Sequence, residues 1–320
     1  MGWNKKMLAL TALVVLMSAA TVMAQRGSRR ERPLAPRPDF SEEEQSVFFT
    51  DARQKLGPGG PPVAGSQPAE SETPMPAAET PVVSAGVWSE LIEPEVIEDE
   101  VKSLVPAIRA SVSSPNAFKS GGYRDARDNY SLLAVLFGVI AQYDDESRVR
   151  WQDEAAGMRE LLARTGFNCK AASDGTFLEA QMRADDLAML LRGERPDLNE
   201  AATVPEGGWP DVADRPPLMK RMEAAQRGRL DQWTANSAEF SRNSADILHE
   251  AQLLLLLCEI IKDESYEYAD DDLYREYVEG LSAVCRELLA ATREERFDDA
   301  QSAVSRINRQ CDDCHSDFRG

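Results

Sequence analysis

The pattern of apolar and polar positions changes near Trp88. From that residue onward, apolar side chains recur three and four positions apart, and the alternation typical of β-strands is absent. Glycine and proline fall mainly between the patterned runs, where they interrupt helices. Pro106 is an exception, and it predicts a kink in the first helix. The pattern therefore predicts an all-α region from Trp88 to the end of the chain.

This helical region contains two similar halves. Phe118 precedes RDNYSLLAVLFGVIAQYDDES, and Phe240 precedes LHEAQLLLLLCEIIKDESYEY. Further along, TFLEAQMRADDLAML and RFDDAQSAVSRINRQ share the sequence Phe-x-x-Ala-Gln, which begins at Phe177 and Phe297. We interpret the two halves as a degenerate internal repeat; chance similarity of amphipathic helices is the alternative.

Each half contains four helical runs. In the second half the runs are Pro217–Ser237, Ser241–Lys262, Asp271–Glu294 and Asp298–Phe318. Four helices with short loops pack as an up-down-up-down bundle, and each half is long enough for one core. The predicted fold is therefore two tandem four-helix bundles. They comprise residues 87–195 and 217–320, joined by a Pro-rich linker at 196–216.

The first 24 residues have the features of a secretory signal peptide. Lys5 and Lys6 precede an apolar run from Met7 to Met17, and small residues stand before Gln25. The apolar run is shorter than a membrane span needs, although an uncleaved anchor is the alternative. We therefore expect a soluble protein of the periplasm, or one otherwise exported from the cytosol, with no membrane span.

Residues 25–86 are rich in proline, glycine, alanine and serine. Such a composition buries too little apolar surface to offset the entropy of ordering, so we predict a disordered tether. Without the two lysines of the signal peptide, the chain has 34 basic and 55 acidic residues, a net charge of −21. This charge argues against nucleic acid and anionic membranes, and it favours a partner protein with a cationic face.

The five cysteines fall into two groups. Cys169, Cys258 and Cys285 are scattered, and the last two lie in apolar helical patterns typical of buried free thiols. A Cys258–Cys285 disulfide, or one that includes Cys169, is the alternative in an exported chain. Cys311 and Cys314 differ, because they form a Cys-x-x-Cys-His motif with the next residue, His315.

The Cys-x-x-Cys-His motif is the attachment signature of c-type haem. On a helix its three side chains project from one face, so both thiols can add to the haem vinyl groups while the imidazole reaches the iron. A zinc site lacks a fourth ligand nearby, a thioredoxin-like dithiol needs a βαβ context, and a disulfide between these cysteines strains a helix. The motif therefore predicts one haem c.

The chain end RFDDAQSAVSRINRQCDDCHSDFRG resembles the last helix of cytochrome c prime and its low-spin relatives, the class II c-type cytochromes. Cys311, Cys314, His315, Phe318 and Arg319 match that family's Cys-x-x-Cys-His-x-x-Phe-Arg pattern. The resemblance covers about Pro217 to Gly320 and is sharpest over the last two dozen residues. It implies His315 as the proximal iron ligand, thioether bonds from both cysteines, and Arg319 near the proximal face.

The first half lacks such a motif, because Leu191 to Arg195 read LRGER where the second half has CDDCH. We therefore expect a haemless copy that acts as a spacer or a docking domain. In the second half, the end of the fourth helix should adjoin the start of the first. The candidates for the distal iron position are Met219 and Met222, with Leu218 as the residue that would leave the position open.

Other polar residues of the second half are weaker candidates. We expect His249 to be a surface or lightly buried residue rather than a ligand. Further residues are expected to wall the haem pocket or bind a propionate: Lys220, Arg221, Tyr266, Tyr268, Tyr274 and Tyr277.

These features lead to three functional hypotheses. The first is an exported cytochrome that transfers electrons through one haem iron and is not an enzyme. The second is a five-coordinate binder of nitric oxide or carbon monoxide, which acts as a scavenger or sensor. The third is a helical scaffold protein, in which the first bundle and the tether recruit a redox partner and the haem domain is one component. The family resemblance also implies a homodimer. The alternative is that the first bundle occupies the surface through which such a dimer would form.

Overall fold

The computed structural model describes residues 88–143, 149–198 and 208–318. Every secondary-structure element in these ranges is a helix or a turn, which confirms the all-α prediction for this part of the chain. The described ranges belong to one compact unit, Ala77–Gly320. The expected signal peptide, the whole of the expected tether, and Arg319 lie outside the described residues.

The first half contains four long helices and two short ones. They are α1 (Trp88–Leu91), α2 (Pro94–Ser111), α3 (Pro115–Ala117), α4 (Tyr123–Ala141), α5 (Ala155–Asn168) and α6 (Asp174–Leu191). A kinked turn, Phe118–Gly122, in which Gly121 has a φ of 153°, joins α3 to α4. The hydroxyl of Ser173 accepts a hydrogen bond from the Thr176 amide and caps α6. Helix α2 continues through Pro106.

The second half has the same order of long helical stretches. Its helices are α7 (Trp209–Val212), α8 (Arg215–Ala225), α9 (Asp231–Trp233), α10 (Ser237–Arg242), α11 (Ser244–Ile261), α12 (Asp272–Arg293) and α13 (Phe297–Phe318). The π-helical turn Gln226–Leu230 joins α8 to α9. Asp271 caps α12 by accepting from the Leu273 and Tyr274 amides. The sequence pattern predicted the bounds of the long helices to within a few residues.

Residues 208–216 differ from the linker that their proline content predicted. They contain α7 and the start of α8, and Trp209 and Val212 are buried in the core. The segment is ordered because burial of the apolar side chains of Trp209 and Val212 stabilises it, although its proline content alone predicts an extended linker.

Equivalent phenylalanines pack in pairs in the two halves. The rings of Phe118 and Phe177 have centroids 5.7 Å apart, and those of Phe240 and Phe297 are 5.8 Å apart. Each pair joins the segment before the second long helix to the first turns of the fourth. These are the phenylalanines that defined the repeat in the sequence.

Two tyrosines at equivalent positions anchor the chain before the first long helix of each half. The Tyr143 hydroxyl donates to the Ile92 carbonyl at 2.7 Å, and the Tyr266 hydroxyl donates to the Ala213 carbonyl at 2.8 Å. Both bonds are buried. The repeat thus extends from sequence to side-chain packing.

The core is continuous across both halves. Helix α4 packs against α2 and α5 of its own half and against α8 of the other half. Helix α12 packs between α11 and α13. None of the helices described here is long and apolar enough to cross a membrane.

Candidate cofactor site at the end of the last helix

Helix α13 presents one apolar stripe to the rest of the second half. The stripe consists of buried Ala300, Ala303, Val304 and Ile307, followed by the half-buried Cys311, Cys314 and Phe318. These spacings of three and four residues keep all seven side chains on one face. The two motif cysteines therefore lie where the packed face of the helix emerges into solvent.

Both motif cysteines are free thiols. Burial raises the pKa of Cys311 to about 11, with further contributions from Cys314 and Asp312. Burial also raises the pKa of Cys314, although Arg215 acts in the opposite direction. Both side chains are therefore neutral S–H groups at neutral pH.

The other three cysteines are buried free thiols, as the apolar pattern predicted for Cys258 and Cys285, and none of the three forms a disulfide. Burial raises the pKa of both Cys169 and Cys258 to about 12. Such thiols pack as small apolar groups and are chemically inert. The half-exposed pair at the end of α13 is therefore distinct from the rest.

His315 follows Cys314 directly and is half-buried. Within the described part of the chain, no side chain forms a hydrogen bond or ion pair with its ring. The neighbouring Cys311 and Cys314 lie four and one positions before it, so the three groups share one helix face.

An aromatic cluster lies beside the motif. The Phe318 ring contacts the rings of Tyr268, Tyr274 and Tyr277, with centroid distances of 5.4, 5.5 and 6.3 Å. The Tyr277 hydroxyl donates to Asp317 at 2.8 Å, and this bond raises the pKa of Tyr277 to about 12. The tyrosines expected around the cofactor thus gather at the end of α13.

Arg215, at the start of α8, lies over this cluster. Its guanidinium is 5.4, 5.6 and 5.2 Å from the ring centroids of Tyr266, Tyr268 and Tyr274, and it donates to the Glu267 carbonyl. Such cation–π contacts fix the start of α8 against the tyrosine loop. Arg215 was not among the candidates from the sequence, although its place at the start of this helix was a usable signal.

Two contacts place α8 alongside the end of α13. Arg215 meets the tyrosines that surround Phe318, and Arg227, just after α8, pairs with Asp312 at 3.1 Å. The middle of α8 therefore lies between these two contacts. This is the stretch that contains the distal candidates.

The distal candidates differ in burial. Leu218 and Met222 are buried in the core, whereas Met219 is half-buried and packs against the edge of the core. Met219 is therefore the more accessible of the two methionines. Nothing in the described contacts connects either sulfur to His315.

Lys220 and Arg221 have partners other than the propionates that the sequence suggested. The Lys220 ammonium pairs with Asp128 of α4 at 2.6 Å. The Arg221 guanidinium is buried, and it donates to Glu100 and Glu250. The physical reason is that carboxylates compensate both charges: Asp128 and Glu100 from the first half, and Glu250 from α11.

Arg221 is the centre of a buried ionic network. It donates to Glu100 of α2 at 2.7 and 3.2 Å and to Glu250 of α11 at 2.7 and 3.0 Å. Arg229 also donates to Glu250, and the His249 ring lies 3.0 Å from Glu100. Burial by itself raises the pKa of Glu100, but hydrogen bonds from His249 and Arg221 lower that pKa to about 2.

His249 is thus lightly buried, as the sequence suggested, and its carboxylate partner Glu100 was not predicted. The network itself was missed, because its charges are 121 and 29 positions apart. One signal was available: Glu100 lies on the apolar face of α2 between Ile97 and Leu104.

The described residues contain no group of three or more His, Cys, Asp or Glu side chains arranged to hold a metal ion. Comparisons with models of known protein families, with curated proteins and with solved structures find no match to this chain.

Proposed function

We propose that this protein is an exported c-type cytochrome with one covalent haem on α13, which transfers electrons through the haem iron. One observation carries the proposal: two free, half-buried thiols and an imidazole share the exposed end of an otherwise packed helix. The proposal includes a four-helix bundle in each half and a redox partner in the periplasm whose face is cationic.

The donor set fits covalent haem attachment. The neutral thiols of Cys311 and Cys314 would each add across a vinyl group, so that a sulfur–carbon bond forms and the thiol hydrogen moves to the neighbouring carbon. This addition needs no oxidant. The half-buried His315 would hold the iron through a ring nitrogen. When bound, the haem supplies a one-electron iron couple.

The surrounding side chains would bury and orient the group. Phe318, Tyr268 and Tyr274 form an apolar wall beside the thiols. Arg215 and Arg227 are cations at the two ends of the adjoining segment, where they replace Lys220 and Arg221 as candidates for binding propionates. The aromatic wall excludes water from one side of the site.

A second function, binding of nitric oxide or carbon monoxide, is supported by the burial of Leu218 and Met222. Both side chains pack in the core, so Met219 alone is left as a methionine ligand from α8. An apolar distal side leaves the iron five-coordinate and open to small gases.

The test is expression of the full chain in a host that attaches haem, followed by mass spectrometry and optical spectra. We expect the mass of one haem on the native chain, none on Cys311→Ala/Cys314→Ala, and full attachment on the Cys169→Ala control. An unmodified native chain would overturn the proposal.

Carbon monoxide then separates the two functions. A low-spin ferrous spectrum that resists carbon monoxide indicates a sixth ligand and an electron carrier. In that case Met219→Leu should produce a high-spin spectrum. A ferrous spectrum that shifts at once with carbon monoxide supports gas binding instead.

A further inference from the structure

The two halves contact each other through equivalent residues. Trp88 of α1 and Trp209 of α7 meet edge to face, with ring centroids 5.8 Å apart and planes at 84°. Glu100 of α2 and Arg221 of α8 form the buried ion pair at 2.7 Å. In both pairs the partners are 121 positions apart, which lies between the offsets of 122 and 120 that separate the equivalent phenylalanines of the repeat.

Contacts between equivalent positions are the mark of an isologous interface. In a two-fold symmetric dimer, a residue near the axis meets its own copy on the other subunit. Trp88–Trp209 and Glu100–Arg221 are such pairs, so an approximate two-fold axis relates the halves and passes close to both. The halves therefore pack as two subunits of a dimer would, within one chain.

We propose that the first half is a permanent, built-in partner of the second half, and that Glu100 is a positioning residue for α8, the helix that carries Met219 and Met222. The role of Glu100 in positioning α8 beside the haem rests on the proposed function. The packing of the two halves against each other is independent of the proposed function.

The ionic network holds α8 against the first half, because Arg221 of α8 donates to Glu100 of α2. Only 3% of Glu100 and 9% of Arg221 is exposed, so both charges depend on buried partners for compensation. Without Glu100, Arg221 loses its carboxylate partner from the first half and keeps Glu250, whose charge is shared with Arg229. The flanking bonds are more exposed and weaker: Lys220 with Asp128, and Arg127 with Asp214.

The arrangement also has a consequence for assembly. The interface buries Trp88 and Trp209 together with the Glu100–Arg221 pair, so this face is not open to a second copy of the chain. A homodimer that uses this face is excluded while the halves are packed.

The test compares two neighbouring carboxylates of α2 in the haem-loaded full chain. Glu100→Gln removes one negative charge from the network, and Asp99→Asn removes one from an exposed pair with Lys102. We expect Glu100→Gln to lower the urea midpoint and to change the equilibrium constant for haem reduction by about two- to thirtyfold. We expect Asp99→Asn to change neither.

Glu100→Asp keeps the charge with a shorter reach, and we expect it to restore part of both properties. It also serves if Glu100→Gln fails to fold. Equal urea midpoints for Glu100→Gln and Asp99→Asn would overturn the interface. A lowered midpoint with an unchanged reduction equilibrium would overturn the positioning role alone. If the native chain attaches no haem, the proposed function fails, and the urea midpoints still decide the interface.

Discussion

The two halves share a packing scheme and differ at the end of their last helix. In the first half, the Trp151 indole donates to the Leu190 carbonyl at 3.1 Å and is buried over the end of α6. In the second half, Tyr268 occupies the corresponding loop and packs on Phe318 beside Cys314. An aromatic side chain covers the helix end in both halves, but only the second half has reactive groups there.

The two loops share an uncommon backbone conformation as well. Trp151 has a φ of 69° and Tyr268 a φ of 68°, in the left-handed region that few non-glycine residues adopt. The loop that places the aromatic side chain is therefore part of the repeated scaffold. The helical scaffold and the reactive groups are therefore separable. The scaffold is present in both halves, whereas the reactive thiols and imidazole at the helix end are present in the second half.

The largest effect is expected from the phenylalanine pairs. Phe118 and Phe240 are both almost fully buried, and each contacts the first turns of its last long helix. We expect Phe118→Ala and Phe240→Ala each to lower the free energy of unfolding by about 3–5 kcal/mol. Urea unfolding followed by circular dichroism measures both losses.

Leu178→Ala is the control, because Leu178 is 59% exposed and its truncation should change stability little. Losses of similar size at the two phenylalanines would support a shared packing scheme in the two halves. A large loss at one position and none at the other would contradict it, because equivalent residues would then have different structural roles.

Acid should weaken the contact between the halves. Glu100 has a pKa of about 2 in the folded chain against an ordinary value of 4.5. A carboxyl with a lowered pKa contributes stability that is complete above the ordinary value and is lost as pH falls towards the folded value. We therefore expect the native chain to lose about 2 kcal/mol through this group between about pH 5 and about pH 3.

The charged and titratable groups around Glu100 come from α8, α11 and the turn Gln226–Leu230. They are Arg221, Arg229, His249 and, through Arg221, Glu250. Other carboxyls also titrate in acid, so the quantity to measure is the difference in urea unfolding between the native chain and Glu100→Gln at each pH. A difference that stays constant over this pH range would contradict the assignment.

The sequence predicted the helices and the motif because both depend on local pattern. The bounds of α11, α12 and α13 follow from apolar spacing, and Cys311, Cys314 and His315 are contiguous enough to be recognised without a structure. The half-buried state of the two thiols could not be predicted, because it depends on where α8 and the tyrosine loop pack. The gathering of Tyr268, Tyr274 and Tyr277 followed from the expected topology.

The contact between the halves could not be predicted from local pattern. Arg221 was expected near propionates because its helix was expected to adjoin the end of the fourth helix, whereas its actual partners are far away in sequence. Residues 208–216 were expected to form a linker because of their proline content, which outweighed the two apolar side chains of Trp209 and Val212. In both cases tertiary packing decided against the local signal.

The smallest effect is expected from the matched tyrosine hydroxyls. Tyr143 donates to Ile92 and Tyr266 to Ala213 across equivalent buried positions, at 2.7 and 2.8 Å. Tyr143→Phe and Tyr266→Phe each remove one such bond, and each should cost about 1 kcal/mol in the free energy of unfolding. Tyr277→Phe is the control, since the Tyr277 hydroxyl bonds to the exposed Asp317 and its removal should have no measurable effect on stability.

The two buried tyrosine hydroxyls allow a close comparison of the halves, because the two bonds differ in little except the half to which they belong. Equal losses would mean that the second half gained or kept its reactive helix end without any change in how its chain is anchored. A loss confined to Tyr266 would mean instead that the anchor beside Arg215 and the tyrosine loop belongs to the site.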